Sequence, residues 1–196
     1  MSAKSIALTR RDFLKLTGGF AAFGFAIFAF RPQPTFPSIL PPGAILPADL
    51  FRAQCQRCGK CVAICPHHAL AQDATGTPYI DGLSGWCDLC LDCVRVCPTG
   101  ALRAVDPKQF KLGLAEIDRD QCLAWRGNGC RLCYEKCEML QKAIELDADV
   151  RVYVKSETCN GCGACVNVCP QADRVTKHKS TGRAVALKVL DNGNTG

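Results

Sequence analysis

The chain has 196 residues, 48% of them apolar and 21% charged, with 16 cysteines and a formal net charge of +6. This length allows one or two small units, and a cysteine share of about 8% places the fold among those that need cross-links or metal to hold together. The charge is uneven: Lys4, Arg10, Arg11, Lys15 and Arg31 against Asp12 put +4 before residue 32, so no basic face is left for the rest and no nucleic-acid partner is expected.

Residues 1–31 have the layout of a twin-arginine (Tat) signal or anchor. Thr9-Arg10-Arg11-Asp12-Phe13-Leu14-Lys15 carries the arginine pair, and a stretch rich in Gly, Ala and Phe follows from Leu16 to Phe30. About fifteen residues is short of the roughly twenty that cross a bilayer squarely, so a signal core is favoured over a permanent span. Residues 32–49 carry Pro32, Pro34, Pro37, Pro41, Pro42 and Pro47, and read as an extended Pro-rich linker.

Residues 50–190 are organised by four cysteine runs. Cys55, Cys58, Cys61 and Cys65 precede Pro66; Cys87, Cys90, Cys93 and Cys97 precede Pro98; Cys159, Cys162, Cys165 and Cys169 precede Pro170. All three read C-x2-C-x2-C-x3-C-P, the spacing with which bacterial-type ferredoxins hold a 4Fe-4S cubane. The remaining run, Cys122, Cys130, Cys133 and Cys137, keeps the last three positions and stretches the first gap. Three cysteines two residues apart let one tight loop face three irons of one cubane, while the cysteine before proline ligates the neighbouring cluster, so runs work in pairs. No cysteine is left over, and the inventory suits four 4Fe-4S clusters.

Other uses of the thiols fit less well. A disulfide framework does not call for such regular pairs, and zinc sites with C-x2-C pairs need neither a third cysteine nor the C-x3-C-P ending. A radical enzyme would want C-x3-C-x2-C, but His68 stands where its third cysteine belongs after Cys61 and Cys65. No catalytic residue is therefore expected. Each oxidised cubane with four thiolates carries roughly −2, which would make the folded part net acidic.

First cysteines recur at 55, 87, 122 and 159, so the body repeats one unit built on a metal loop. The strand candidates are 101–105, 115–118, 143–146, 150–155 and 185–190. A brief helix is expected to begin near each last cysteine, with the proline in its first turn. Asp73 to Asp81 and Asp106-Pro107 read as connecting loops, and 191–196 as a disordered tail. The fold class is α+β: tandem bacterial-type 2×(4Fe-4S) ferredoxin-like units after the Tat signal. In the stretched run, Leu123 to Gly129 forms a loop with Trp125 that serves as a spacer or a partner contact, and Glu138 replaces the proline. His67, His68 and His178 are expected on surfaces, and Trp86 and Tyr134 against cluster pockets.

Taken with the twin arginines, these motifs resemble the NapG/MauM family of Tat-exported ferredoxin-type proteins, and more broadly the cluster-bearing subunits of the DMSO-reductase class. The resemblance rests on P-P-G-A at Pro41 to Ala44, G-T-P-Y at Gly76 to Tyr79, C-P-T-G-A-L at Cys97 to Leu102, and the C-x7-C-x2-C-x3-C run at Cys122. It implies a periplasmic, membrane-associated electron carrier delivered by the Tat translocase. Its expected partners are a polytopic quinol-oxidising membrane protein and a periplasmic redox enzyme or cytochrome, as in nitrate reduction or methylamine oxidation. The alternative is a cluster-bearing assembly or maturation factor. The resemblance also suggests nested ligation: Cys55, Cys58, Cys61 with Cys169; Cys159, Cys162, Cys165 with Cys65; Cys87, Cys90, Cys93 with Cys137; Cys122, Cys130, Cys133 with Cys97. The spacing alone permits pairing of adjacent runs instead, and the nested arrangement is favoured.

Overall fold

Short apolar segments flank every cysteine run, and in the computed structural model they pair as small antiparallel ladders. Residues 39–138, 143–171 and 183–190 are described; the twin-arginine segment, the start of the linker, His178 and the tail lie outside them. The strands are β1 (Leu70–Gln72), β2 (Pro78–Ile80), β3 (Leu114–Ile117), β4 (Ile144–Leu146), β5 (Val152–Val154) and β6 (Val185–Lys188). The helices are α1 (Ala48–Gln54), α2 (Lys60–Ile64), α3 (Asp92–Arg95), α4 (Leu132–Glu138) and α5 (Ala164–Val168).

Strand pairing divides this α+β body into two like halves. In the second half β3, ahead of the third run, pairs with β6, behind the fourth, in the register Ala115↔Leu187. Between them β4 and β5 form an inner hairpin with Glu145↔Tyr153. The first half repeats the plan around the first two runs. Its inner hairpin is β1–β2, with Ala71↔Tyr79, and its outer ladder is reduced to the bridge Ala44↔Leu102. The same turn chemistry closes both hairpins. Asp73 Oδ1 accepts the N–H groups of Thr75 and Thr77 at 2.8 and 2.9 Å, and Asp147 Oδ1 those of Asp149 and Arg151 at 2.9 and 2.8 Å. Hydrogen bonds to the charged form, led by the Thr75 hydroxyl, hold the Asp73 carboxyl below its ordinary range.

Four sequence expectations are corrected. Residues 73–81 are not merely a connection, because they carry the turn and second strand of a hairpin. Residues 101–105 form only one bridge, since their partner is the irregular segment around Gly43, whose carbonyl accepts Arg103 N–H at 2.7 Å. In the first and fourth runs the helix sits inside the run and stops at the last cysteine: Cys65 and Cys169, the C-caps of α2 and α5, are extended with ψ of 113° and 120°. A residue before proline is driven out of the helical region, so Pro66 and Pro170 terminate these helices instead of opening new ones. Finally, the linker does not stay extended to residue 49. From Ile39 the chain is packed into the fold, with Ile39, Pro41 and Pro42 buried and Ile39 bridged to Ile80. These prolines bury apolar rings without needing N–H partners.

The core is thin. Phe51, Ile80, Val152, Val166 and Val185 are its largest fully buried side chains, and the cysteines themselves fill much of the space between them.

Candidate metal centres

The loop of each regular run is bent by the same two backbone reversals. Positive φ occurs two and four residues after the first cysteine: Arg57 and Gly59 at 55° and 73°, Leu89 and Leu91 at 59° and 61°, Gly161 and Gly163 at 72° and 87°. Alternating left-handed residues fold successive peptides around a centre and aim their N–H groups inward. Leucine or arginine in this region is strained by about 1–2 kcal/mol per residue, so the conformation is imposed by what the loop surrounds. The third run has its positive-φ residues at Gly127 and Gly129, at 77° and 61°, both ahead of Cys130 within the longer loop.

These loops converge on four cavities, each lined by four cysteines. Site 1 joins Cys55, Cys58 and Cys61 to Cys97. Site 2 joins Cys87, Cys90 and Cys93 to Cys65. Site 3 joins Cys122, Cys130 and Cys133 to Cys169. Site 4 joins Cys159, Cys162 and Cys165 to Cys137. The nested sets are therefore not the ones that the fold assembles. The first run exchanges its last cysteine with the second, and the third with the fourth, because the strand pairing folds adjacent runs onto one another.

The cavities fit a multi-atom cluster. Their thiols surround a volume, whereas a zinc ion needs its sulfurs drawn to about 2.3 Å from one point. Their walls are apolar apart from the sulfurs and a few flanking residues, and all sixteen cysteines are free thiols. Backbone donors already meet the sulfurs. Ala69 N–H reaches Cys65 Sγ at 3.3 Å, Ala143 N–H reaches Cys137 Sγ at 3.3 Å, and Ala115 N–H reaches Cys159 Sγ at 3.5 Å. Burial, reinforced by neighbouring thiolates, pushes Cys87, Cys93 and Cys133 up to about 12 and Cys162 up to about 11, and burial reinforced chiefly by Asp88 pushes Cys90 up to about 11. Cys97 goes the other way: burial raises it, but N–H donors from Leu102, Thr99 and Ala101 and the Thr99 hydroxyl bring it below the ordinary thiol value. Four crowded thiolates need a cationic core between them, and binding one releases their protons.

The surroundings differ from site to site. Arg57 and Lys60 flank site 1, while Asp88 and Asp92 flank site 2. Asp88 also accepts Cys90 N–H at 3.1 Å and meets His67 Nε2 at 3.1 Å. His67 stacks on Trp86 with centroids 4.8 Å apart, which ties this histidine to the fold beside site 2, whereas His68 is exposed. Trp125 is engaged within the fold and is not a free contact. Its Nε1–H donates to the Val152 carbonyl at 3.1 Å, its ring meets Tyr153 edge-on, and the Arg119 guanidinium lies 4.3 Å from its centroid. Sequence reasoning missed this role because its partners lie 27 residues away on β5. The Glu138 side chain lies outside the described residues.

Known protein families match each half separately. A family model described as a 4Fe-4S dicluster domain matches residues 54–101, and a second with the same description matches 115–176. Each covers one half of the fold and two adjacent runs. The chain is 36% identical over 183 residues to the ferredoxin-type protein NapG of Escherichia coli (strain K12), covering 81% of this chain and 78% of that protein. It is 38% identical over 165 residues to the methylamine utilization ferredoxin-type protein MauM of Methylophilus methylotrophus, covering 75% and 73%. With MauM of Methylorubrum extorquens it shares 32% over 192 residues, covering 85% and 87%. Two dicluster domains and relatives spanning most of both chains make this an iron-sulfur electron-transfer protein, and it belongs to the NapG/MauM family of ferredoxin-type proteins.

Proposed function

We propose that the chain carries four 4Fe-4S clusters, one in each cavity, and relays electrons in the periplasm. The electrons would pass between a quinol-oxidising membrane partner and a periplasmic redox enzyme or cytochrome. That enzyme would be a nitrate reductase or part of a methylamine oxidation system. The observation that carries this reading is the exchange of last cysteines, which closes four cavities with four thiols each and leaves no thiol over for catalysis. Bound in such a cavity, a cubane supplies reversible one-electron changes at iron. The protein supplies the rest. Ala69, Ala115 and Ala143 donate N–H to sulfur, apolar walls limit water, and Asp88 and Asp92 at site 2 oppose the cations at site 1. Export rests on the arginine pair, Arg10 and Arg11, in residues 1–31, which we assign as signal or anchor. Clusters are built before export, so a route for folded cargo suits this chain. Among the described residues no helix is long and apolar enough to cross a membrane.

Iron and acid-labile sulfide analysis of the purified, full-length protein tests the cofactor. Four cubanes per chain are expected, and bound zinc or a lower cluster count would contradict the reading. Quinol-driven turnover with purified membrane partner and mature reductase tests the relay. Turnover should depend on adding this protein; a mature reductase that works at full rate without it would identify a maturation factor.

A further inference from the structure

The two halves meet where the segment leading into the second run packs on the loop of the fourth. Cys87 N–H donates to the Cys162 carbonyl at 2.8 Å, so a cysteine of site 2 and a cysteine of site 4 are joined by one peptide hydrogen bond. Beside it, Asn167 Nδ2–H donates to the Leu83 carbonyl at 3.0 Å. Gly82, with φ of 74°, lies so close to the fourth run that an added Cβ would sit 2.9 Å from Val166 Cβ and 3.2 Å from Gly163 Cα. From the other side Lys136, on α4 next to Cys137, places its Nζ 3.9 Å from the centroid of Trp86, next to Cys87. All four contacts bring site 2 and site 4 together. Within each half the sites are already joined by the exchange of Cys65 with Cys97 and of Cys137 with Cys169.

Resting on the four-cluster reading, we propose that electrons cross between the halves at this seam, which orders the sites 1–2–4–3 along the relay, and that Gly82, Asn167 and Lys136 are positioning residues that hold the junction closed. The order differs from the order of the runs in the chain. It makes sites 1 and 3 the two ends, available to different partners. In each crossing one electron leaves a cubane in one half, oxidising it by one, and enters a cubane in the other, reducing it by one; no bond breaks and no proton moves. A Cβ at position 82 would be both strained at this φ and too close to Val166, so any side chain there must displace the packing across the seam.

The test is Gly82→Val in the full-length, cluster-loaded protein, read by electron paramagnetic resonance of the reduced state. Iron content and the coupling within each pair should stay as in the parent, while the coupling between pairs is lost. Unchanged coupling between pairs would overturn the proposal. Lys136→Ala should weaken the same coupling, and Lys136→Arg, which keeps a cation over the Trp86 ring, should restore it. Should Gly82→Val fail to load, Cys162→Ala decides: with site 4 removed, site 3 should give a lone, uncoupled signal, and persistent coupling of site 3 to another cluster would refute the order. A parent protein without four cubanes would instead overturn the reading of the sites, a failure seen in iron content and not in coupling.

Discussion

At the scale of single residues, the charges beside each cavity set the four centres apart. Asp88 lines site 2 and accepts the Cys90 N–H, so its negative charge stabilises the oxidised form of whatever that site holds. Asp88→Asn keeps the acceptor oxygen and removes the charge. The potential of one cluster should rise by an amount on the order of tens of millivolts, with the other three unmoved; a redox titration followed by electron paramagnetic resonance reads this directly. All sixteen ligand candidates were legible in the sequence, because thiol spacing is itself the geometric requirement of a cubane. The partner of each fourth cysteine was not legible, since C-x3-C-P is compatible with any second run. Only the strand pairing chooses, through contacts such as Ala44↔Leu102 and Ala115↔Leu187.

At the scale of elements, strands of three or four residues and helices of four to seven are too short to be stable alone. They persist because each cysteine loop is anchored to a ladder. Trp125 is one such anchor, tying the stretched third run to β5 through Val152 and Tyr153. Trp125→Ala should destabilise the second half by about 2–3 kcal/mol, somewhat less than truncating a fully buried aromatic because the ring is only partly buried. Denaturant unfolding should show this, and an unchanged midpoint would contradict the clamp. The sequence indicated β3, β4, β5 and β6 within a few residues, since each is a short apolar segment beside a run. It concealed the β1–β2 hairpin, whose turn residues Asp73, Thr75, Gly76 and Thr77 mimic a plain loop. It also misplaced the helices, because proline is compatible with either end of a helix until the preceding cysteine is seen to be extended.

At the scale of the whole molecule, the body is one ferredoxin-like plan used twice, each copy made of two adjacent runs and joined to the other by the contact of Cys87 with Cys162. With sixteen cysteines lining four cavities, the pairing of runs determines which thiols share a cavity. The double variant Cys58→Ala/Cys97→Ala examines that pairing most directly. If both cysteines serve site 1, iron, sulfide and Mössbauer analysis will find three intact cubanes per chain and one empty site. Damage to two cubanes would show that Cys58 and Cys97 serve different clusters and would contradict the adjacent pairing.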